Sequence, residues 1–294
     1  MDPAIVLFGF GVGVLVGATG MGGGALMTPL LILIFGVKPV VAVGTDLAYA
    51  AVTKTVGGFR HLTKGKVHRR MALWLALGSC PGALVGVYVL GVLRDTYGGG
   101  FDELLIVLIS GALLLTGGLI LLRALALTEA GRRERGQLKM AGRHKIAAVV
   151  LGFTIGVVLG ITSAGSGTLI AVGLIVGFRL TPHLVVGTDV VHAAVLLWVA
   201  SAAHLISGNV DLALAGTILV GSIPGVWIGA GLSARLPADT LRPALAIVLV
   251  ASGLALLSKA GLALPVAVLA GVPVALAAVA VLVTRSRNAV GASR

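Results

Sequence analysis

Six stretches of this chain, 4–36, 70–93, 104–122, 145–178, 240–258 and 262–284, are apolar almost throughout, and most are long enough to cross a bilayer. Crossing the hydrocarbon takes about 20 residues of helix. Lipid offers backbone groups no hydrogen bonds, so only helices or closed barrels span it. The runs are continuous rather than alternating, which selects helices. Composition agrees, with 58% hydrophobic and 11% charged residues among 294, and a mean hydropathy of +1.11. A soluble domain carries roughly 25% charged residues. The lipid bilayer is therefore the first partner. The net charge of +12 would suggest nucleic acid in a soluble protein. Here the basic residues fall in loops, as they do in membrane proteins, and nucleic acid is not expected as a partner. A lone cysteine, Cys80, allows no internal disulfide. The opening Met1-Asp2-Pro3 lacks a basic n-region, so it reads as the start of a mature chain.

The chain also repeats itself. At a fixed offset of 143 residues, 17–86 align with 160–229 without a gap, and more than a third of the positions are identical. The matches include Thr19/Thr162, Gly22/Gly165, Gly24/Gly167, Pro39/Pro182, Gly44-Thr45-Asp46/Gly187-Thr188-Asp189, His61/His204 and Pro81-Gly82/Pro224-Gly225. Shared apolar composition does not place Gly-Thr-Asp, His and Pro-Gly in register. The expected organisation is a first transmembrane repeat over 1–123, a basic linker over 124–144, a second repeat over 145–258, and an additional helix with a basic tail over 259–294.

Charge predicts the orientation of the two halves. Segment 60–70 holds Arg60, Lys64, Lys66, Arg69 and Arg70, whereas its counterpart, 203–213, has neither Lys nor Arg. Basic loops stay in the cytoplasm. Equivalent loops on opposite sides make the repeats inverted, an architecture common among secondary transporters. The linker and the tail, with Arg285, Arg287 and Arg294, join the cytoplasmic side. The fold expected is an all-α polytopic membrane protein of two inverted-topology repeats with broken or re-entrant helices, plus an extra C-terminal helix. It would lie in the inner (plasma) membrane with its C-terminus cytoplasmic.

Each half begins with an apolar segment that runs into small residues and resumes for a short stretch, over 25–36 and 168–178. Paired interruptions of this kind point to a transporter's binding site. Irregular backbone at membrane depth must be buried or line a wet cavity, and a helix starting there presents free N–H groups to an anion. The expected anion-binding residues are Thr19, Gly22, Gly23 and Gly24 in one half, and Thr162, Ser163, Gly165, Ser166, Gly167 and Thr168 in the other. Tight helix packing through small residues is the plainer explanation.

The Gly-rich turn at 20–24 leads into Ala25-Leu26-Met27-Thr28-Pro29; Gly44-Thr45-Asp46-Leu47-Ala48 and the Gly65-Lys66-Val67 and Gly208-Asn209-Val210 loops follow. With the repeat, these motifs resemble the TauE/SafE family of sulfite exporters over 5–258. The resemblance implies a transporter that moves a small anionic substrate, such as sulfite or an organosulfonate, across the inner membrane.

Asp46 and Asp189 sit at equivalent places in apolar surroundings, where carboxylates are costly and often functional. They can carry a proton or a cation that couples transport, or can cap helices and bond to Thr45 and Thr188. Lys54 either supplies positive charge to an anion path or snorkels toward the basic loop. His192 lies deep and can relay protons; His61 and His204, at helix ends, are expected to cap or to face water. Nothing has metal-ligand spacing, no cofactor is expected, and no Walker motif allows ATP to drive the chain. Ala164-Gly165-Ser166-Gly167 has a superficial likeness to an intramembrane serine protease motif, but its first-half equivalent has Gly23 where the serine would be, so an enzyme is not expected. A passive anion channel on the same scaffold is the main alternative. The oligomeric state stays open, a homodimer included.

Overall fold

The computed structural model describes residues 2–19, 24–63, 67–126, 141–233 and 238–292. Every regular element among them is helical. The first half contains α1 (Pro3–Thr19), α2 (Gly24–Ile34), α3 (Pro39–Thr63), α4 (Arg69–Tyr97) and α5 (Phe101–Ala126). The second contains α6 (Gly142–Thr162), α7 (Ser166–Val172), α8 (Pro182–Ile206), α9 (Leu212–Ser233) and α10 (Ala238–Lys259), and α11 (Val266–Ala292) follows. Proline, which lacks the N–H that the first turn leaves unused, opens α3 and α8 at matching positions. A π-helical turn, Gly173–Gly177, extends α7. Among the described residues, four apolar segments are long enough to cross a membrane: Arg69–Leu122, Gly142–Thr162, Leu184–Ile206 and Leu212–Leu232. Leu7, Tyr88, Trp227 and Ile228 point outward while Leu31, Leu47, Leu105 and Leu249 fill the interior, so the bundle is apolar inside and out.

The halves interleave. The main pairings are α1 with α9, α4 with α6, α3 with α8 and α5 with α10, each joining one half to the other. Glycine makes the first two possible. Gly9, Gly13 and Gly17 of α1 back onto Ile218, Ser222 and Val226 of α9, while Gly221, Gly225 and Gly229 of α9 back onto Val6, Phe10 and Val14. A 143-residue shift reproduces the set on α6 and α4: Gly152, Gly156 and Gly160 against Leu75, Ser79 and Ala83, and Gly78, Gly82 and Gly86 against Val149, Phe153 and Val157. A Cβ at any of these would collide with a facing backbone carbonyl. Small residues spaced by four let two backbones touch.

Contact order along the helices gives their directions. Gly44 near the start of α3 lies against His204 near the end of α8. Further along α3, Lys54 meets Asp189, and Trp198 Nε1 donates to Thr55 Oγ1 at 2.9 Å. Advancing along α3 means retreating along α8, so these counterparts are antiparallel. Thr55 and Trp198 are themselves counterparts, and the pseudo-two-fold axis passes between them. Antiparallel pairing recurs in α5 and α10, where Gly117 lies on Ala246 and Val250, and Gly253 on Ser110 and Leu114. The repeats are thus inverted. By the ordered glycine contacts, α1 runs parallel to α9 and α6 to α4. Thr28 of α2 meets Asp46 of α3 across the short Phe35–Lys38 connection, so α2 opposes α3. These directions place α1 parallel to α3, so α2 runs back against α1. The short helices are the returning arms of re-entrant hairpins.

Candidate functional site

Two buried carboxylates, one per half, organise the polar interior. Asp46 is fully buried on α3. Its Oδ2 accepts from Thr28 Oγ1 of α2 at 2.6 Å and from Ser163 Oγ at 2.8 Å. Ser163 ends α6 in the left-handed region, φ 57°, and Gly165 at φ 96° leads into α7, so the second break is pinned to α3. Asp189 on α8 is treated differently. Its Oδ2 pairs with Lys54 Nζ at 3.4 Å, with both side chains buried. The second-half counterpart of Lys54 is Leu197, and the first-half residues equivalent to Ser163 and Asp189 are Gly20 and Asp46. One carboxylate therefore meets an ammonium, and the other meets two hydroxyls.

The flanking threonines follow the two-fold closely. Thr45 Oγ1 accepts from the Asp211 amide at 3.0 Å, and Thr188 Oγ1 from the His68 amide at 3.0 Å. Asp211 Oδ1 then caps the Leu214 amide, and His68 Nδ1 caps that of Met71. Thr45 and Thr188 thus tie the starts of α9 and α4 to α3 and α8, and they do not bond to Asp46 and Asp189. His192 meets Ser79 Oγ at 2.7 Å across α8 and α4. Its counterpart Tyr49 stands beside Ser222, the counterpart of Ser79, without reaching hydrogen-bond geometry.

Several sequence expectations need correcting. Lys54 does not snorkel: only 5% of it is exposed, and it is held by a carboxylate. His204 does not face water; it is fully buried, with Nε2 2.8 Å from the Gly160 carbonyl oxygen. The helix ends that enter the two breaks, those of α6 and α1, also lie at different levels of the bundle. The end of α6 lies by Asp46, near Gly44, which packs on Asn209 just before α9, whereas Gly17 near the end of α1 packs beside Val226 and Ala230. Roughly 20 Å of α9 separates those levels at 1.5 Å per residue.

Among the expected anion donors, Thr162 Oγ1 donates to the Val158 carbonyl and accepts from the Ala164 amide. Ser163 is committed to Asp46. Thr168 is buried, and Gly167 lies in the first turn of α7. Thr19 and Gly24 bound the first break. Gly22 and Gly23, and the side chains of Thr19 and Ser166, lie outside the described residues. Arg143, His144, Phe178 and Arg179 line a surface pocket of about 460 Å³ at the start of α6, which gives that end of the bundle a basic mouth.

Residues 5–256 match the family described as Sulfite exporter TauE/SafE. The chain belongs to the TauE/SafE family. It is 37% identical over 257 residues to the Bacillus subtilis (strain 168) probable membrane transporter protein YjnA, covering 87% of this chain and 100% of that one. It is 30% identical over 253 residues to YdhB of the same organism, also a probable membrane transporter, covering 86% and 99%. A Xylella fastidiosa probable membrane transporter protein is 28% identical over 242 residues, covering 81% and 88%. No solved structure matches. A TauE/SafE chain with these relatives is a membrane transporter.

Proposed function

We propose that this protein is a secondary transporter that exports small sulfur-containing anions, such as sulfite or organosulfonates, across the inner membrane by alternating access. The observation that carries this reading is Lys54, a buried ammonium one residue from the pseudo-two-fold axis and far from either end of the bundle. An intramembrane cation is costly unless it has a task. Its pairing with Asp189 is loose enough for an anionic substrate to take the carboxylate's place, adding donors from nearby helices. Two antiparallel copies of one unit supply two equivalent arrangements, inward and outward, for such a site to alternate between.

Orientation supports export from a cytoplasmic face. The end of α3 and the starts of α4 and α6 lie toward one end of the bundle, and the sequence next to them carries basic clusters. The α4–α5 and α8–α9 connections fall at the other end, with Asp95, Asp102, Glu103 and Asp211. Basic loops mark the cytoplasm. Of the histidines that could serve Ser166 as a base, His192 is bonded to Ser79 and His204 to the Gly160 carbonyl oxygen, while the His183 side chain lies outside the described residues.

The test is exchange of radiolabelled sulfite by full-length protein in sealed liposomes. Saturable exchange that falls by roughly tenfold or more in Lys54→Met supports the proposal. Flux that rises linearly without saturation would indicate a passive anion channel. If sulfite, thiosulfate, sulfoacetate and taurine all leak as in empty liposomes, the substrate class is wrong.

A further inference from the structure

Asp46 and Asp189 occupy equivalent places in two copies of one unit, yet only one of them has a built-in counter-charge. Asp189 has Lys54 at 3.4 Å. At the position equivalent to Lys54, the second half has Leu197, buried and apolar. A carboxylate in a dry interior needs a compensating charge, because removing it from water costs far more than neutral hydrogen bonds return. We propose that Asp46 is the seat of a mobile monovalent cation, a proton or Na⁺, which serves there as Lys54 serves Asp189.

The surroundings fit such a guest. Three oxygen-bearing side chains converge, Asp46 with Thr28 and Ser163 on Oδ2, while Asp46 Oδ1 has no hydrogen-bond partner among the described residues. Hard cations take oxygen ligands. Ser163 caps the C-terminal end of α6, where the helix dipole favours positive charge. Cations at the broken helices of transporters use ends of this kind. From the elements packed around Asp46, the titratable or charged groups are few. Tyr49 lies on α3 itself. His204 comes from α8 and is held on the Gly160 carbonyl. Asp211, before α9, is turned to the Leu214 amide. Lys259 of α10 donates to the Ile32 carbonyl at 2.7 Å. Helix α5 has no titratable residue between Glu103 and Arg123, and α2 and α7 have none. Among the described residues no Lys or Arg pairs with Asp46.

Binding of the cation stands without the transport reading; its use as the coupling ion rests on that reading. Full-length protein in detergent is compared in NaCl and in choline chloride at equal ionic strength, and its infrared spectrum is searched for the C=O band of a protonated buried carboxyl. A Na⁺-specific rise in melting temperature identifies Na⁺; the band identifies the proton. Either signature is expected to vanish in Asp46→Asn. It should also vanish in Leu197→Lys, which introduces an ammonium by the same geometry that pairs Lys54 with Asp189. Thr28→Val, which keeps the carboxylate, should weaken a Na⁺ shift while leaving a proton band in place. Gel filtration confirms that each variant is folded. A wild type with neither signature, or signatures that persist in folded Asp46→Asn, overturns the proposal. In liposomes, Asp46→Asn should lose sulfite accumulation driven by a pH or Na⁺ gradient. If the cation signature is intact but wild type exchanges no sulfite, the transport reading fails and the cation site survives.

Discussion

Lys54 and Asp189 compensate one another's charge in a place where neither would be tolerated alone. Removing one partner of a buried pair leaves an uncompensated charge and costs about 3–5 kcal/mol, whereas replacing both with apolar residues is often neutral. Lys54→Met should therefore lower the melting temperature sharply, and Lys54→Met with Asp189→Leu should restore most of the loss in thermal unfolding in detergent. Equal destabilisation by the single and double changes would show that the pair is not coupled. The two aspartates were legible in the sequence because Gly-Thr-Asp recurs at a fixed offset. The ion pair was not, since its partners lie 135 residues apart and Lys54 has no basic counterpart. Nearness to the basic loop made snorkelling the natural expectation, and only the antiparallel packing of α3 on α8 turns Lys54 inward. Of the two roles expected of His204, capping and facing water, the structure takes the first: it is buried and caps the Gly160 carbonyl in the last turn of α6.

Glycines decide how closely the helices approach, and they fall into two groups that sequence alone does not separate. Gly82 and Gly225 back onto the carbonyls of Phe153 and Phe10, while Gly11 and Gly91 face open space. Gly82→Ala or Gly225→Ala should push paired backbones apart and cost about 1–3 kcal/mol. Gly11→Ala and Gly91→Ala should be neutral, or stabilising by about 0.5–1 kcal/mol, because alanine restricts the unfolded backbone. Unfolding midpoints of the four variants check this, and a uniform response would contradict the packing described. Spacing by four announces a close-contact face but not the helix it meets, so the union of α1 with α9 could not be read in advance. The re-entrant hairpins were half legible: the short α2 and α7 were expected, but whether they cross onward or turn back depended on contacts that fix direction. One backbone feature repeats through a change of residue type. Gly36 and its counterpart Arg179 both adopt positive φ, 63° and 53°, and only the glycine does so without strain.

The helix directions, derived from side-chain and backbone contacts alone, sort the connections by charge into a basic end and an acidic end. Packing and the difference in charge both make the repeats inverted. In a Cys80→Ser background, Arg70→Cys and Ser207→Cys should react with a membrane-impermeant maleimide from opposite faces of sealed vesicles, the first only from the cytoplasmic side. Labelling of both from one face would break the inverted arrangement. Charge asymmetry made the inversion legible at this scale, because the 60–70 segment and its counterpart differ so completely in Lys and Arg. The sequence could not show that the halves would interleave, since a repeat boundary suggests two adjacent bodies.

That interleaving bears on how the protein is made. The glycine faces of α1 find their partner only in α9, some 200 residues later in synthesis. Until then, α1 sits in lipid with its backbone groove unfilled, and α4 likewise waits for α6. A ribosome stalled in the linker would leave a first half with α2 packed on α3 but without the main partners of α1, α3, α4 and α5. The nascent chain therefore depends on whatever shelters single helices at the site of insertion, and its last-made helices lock the first ones in place.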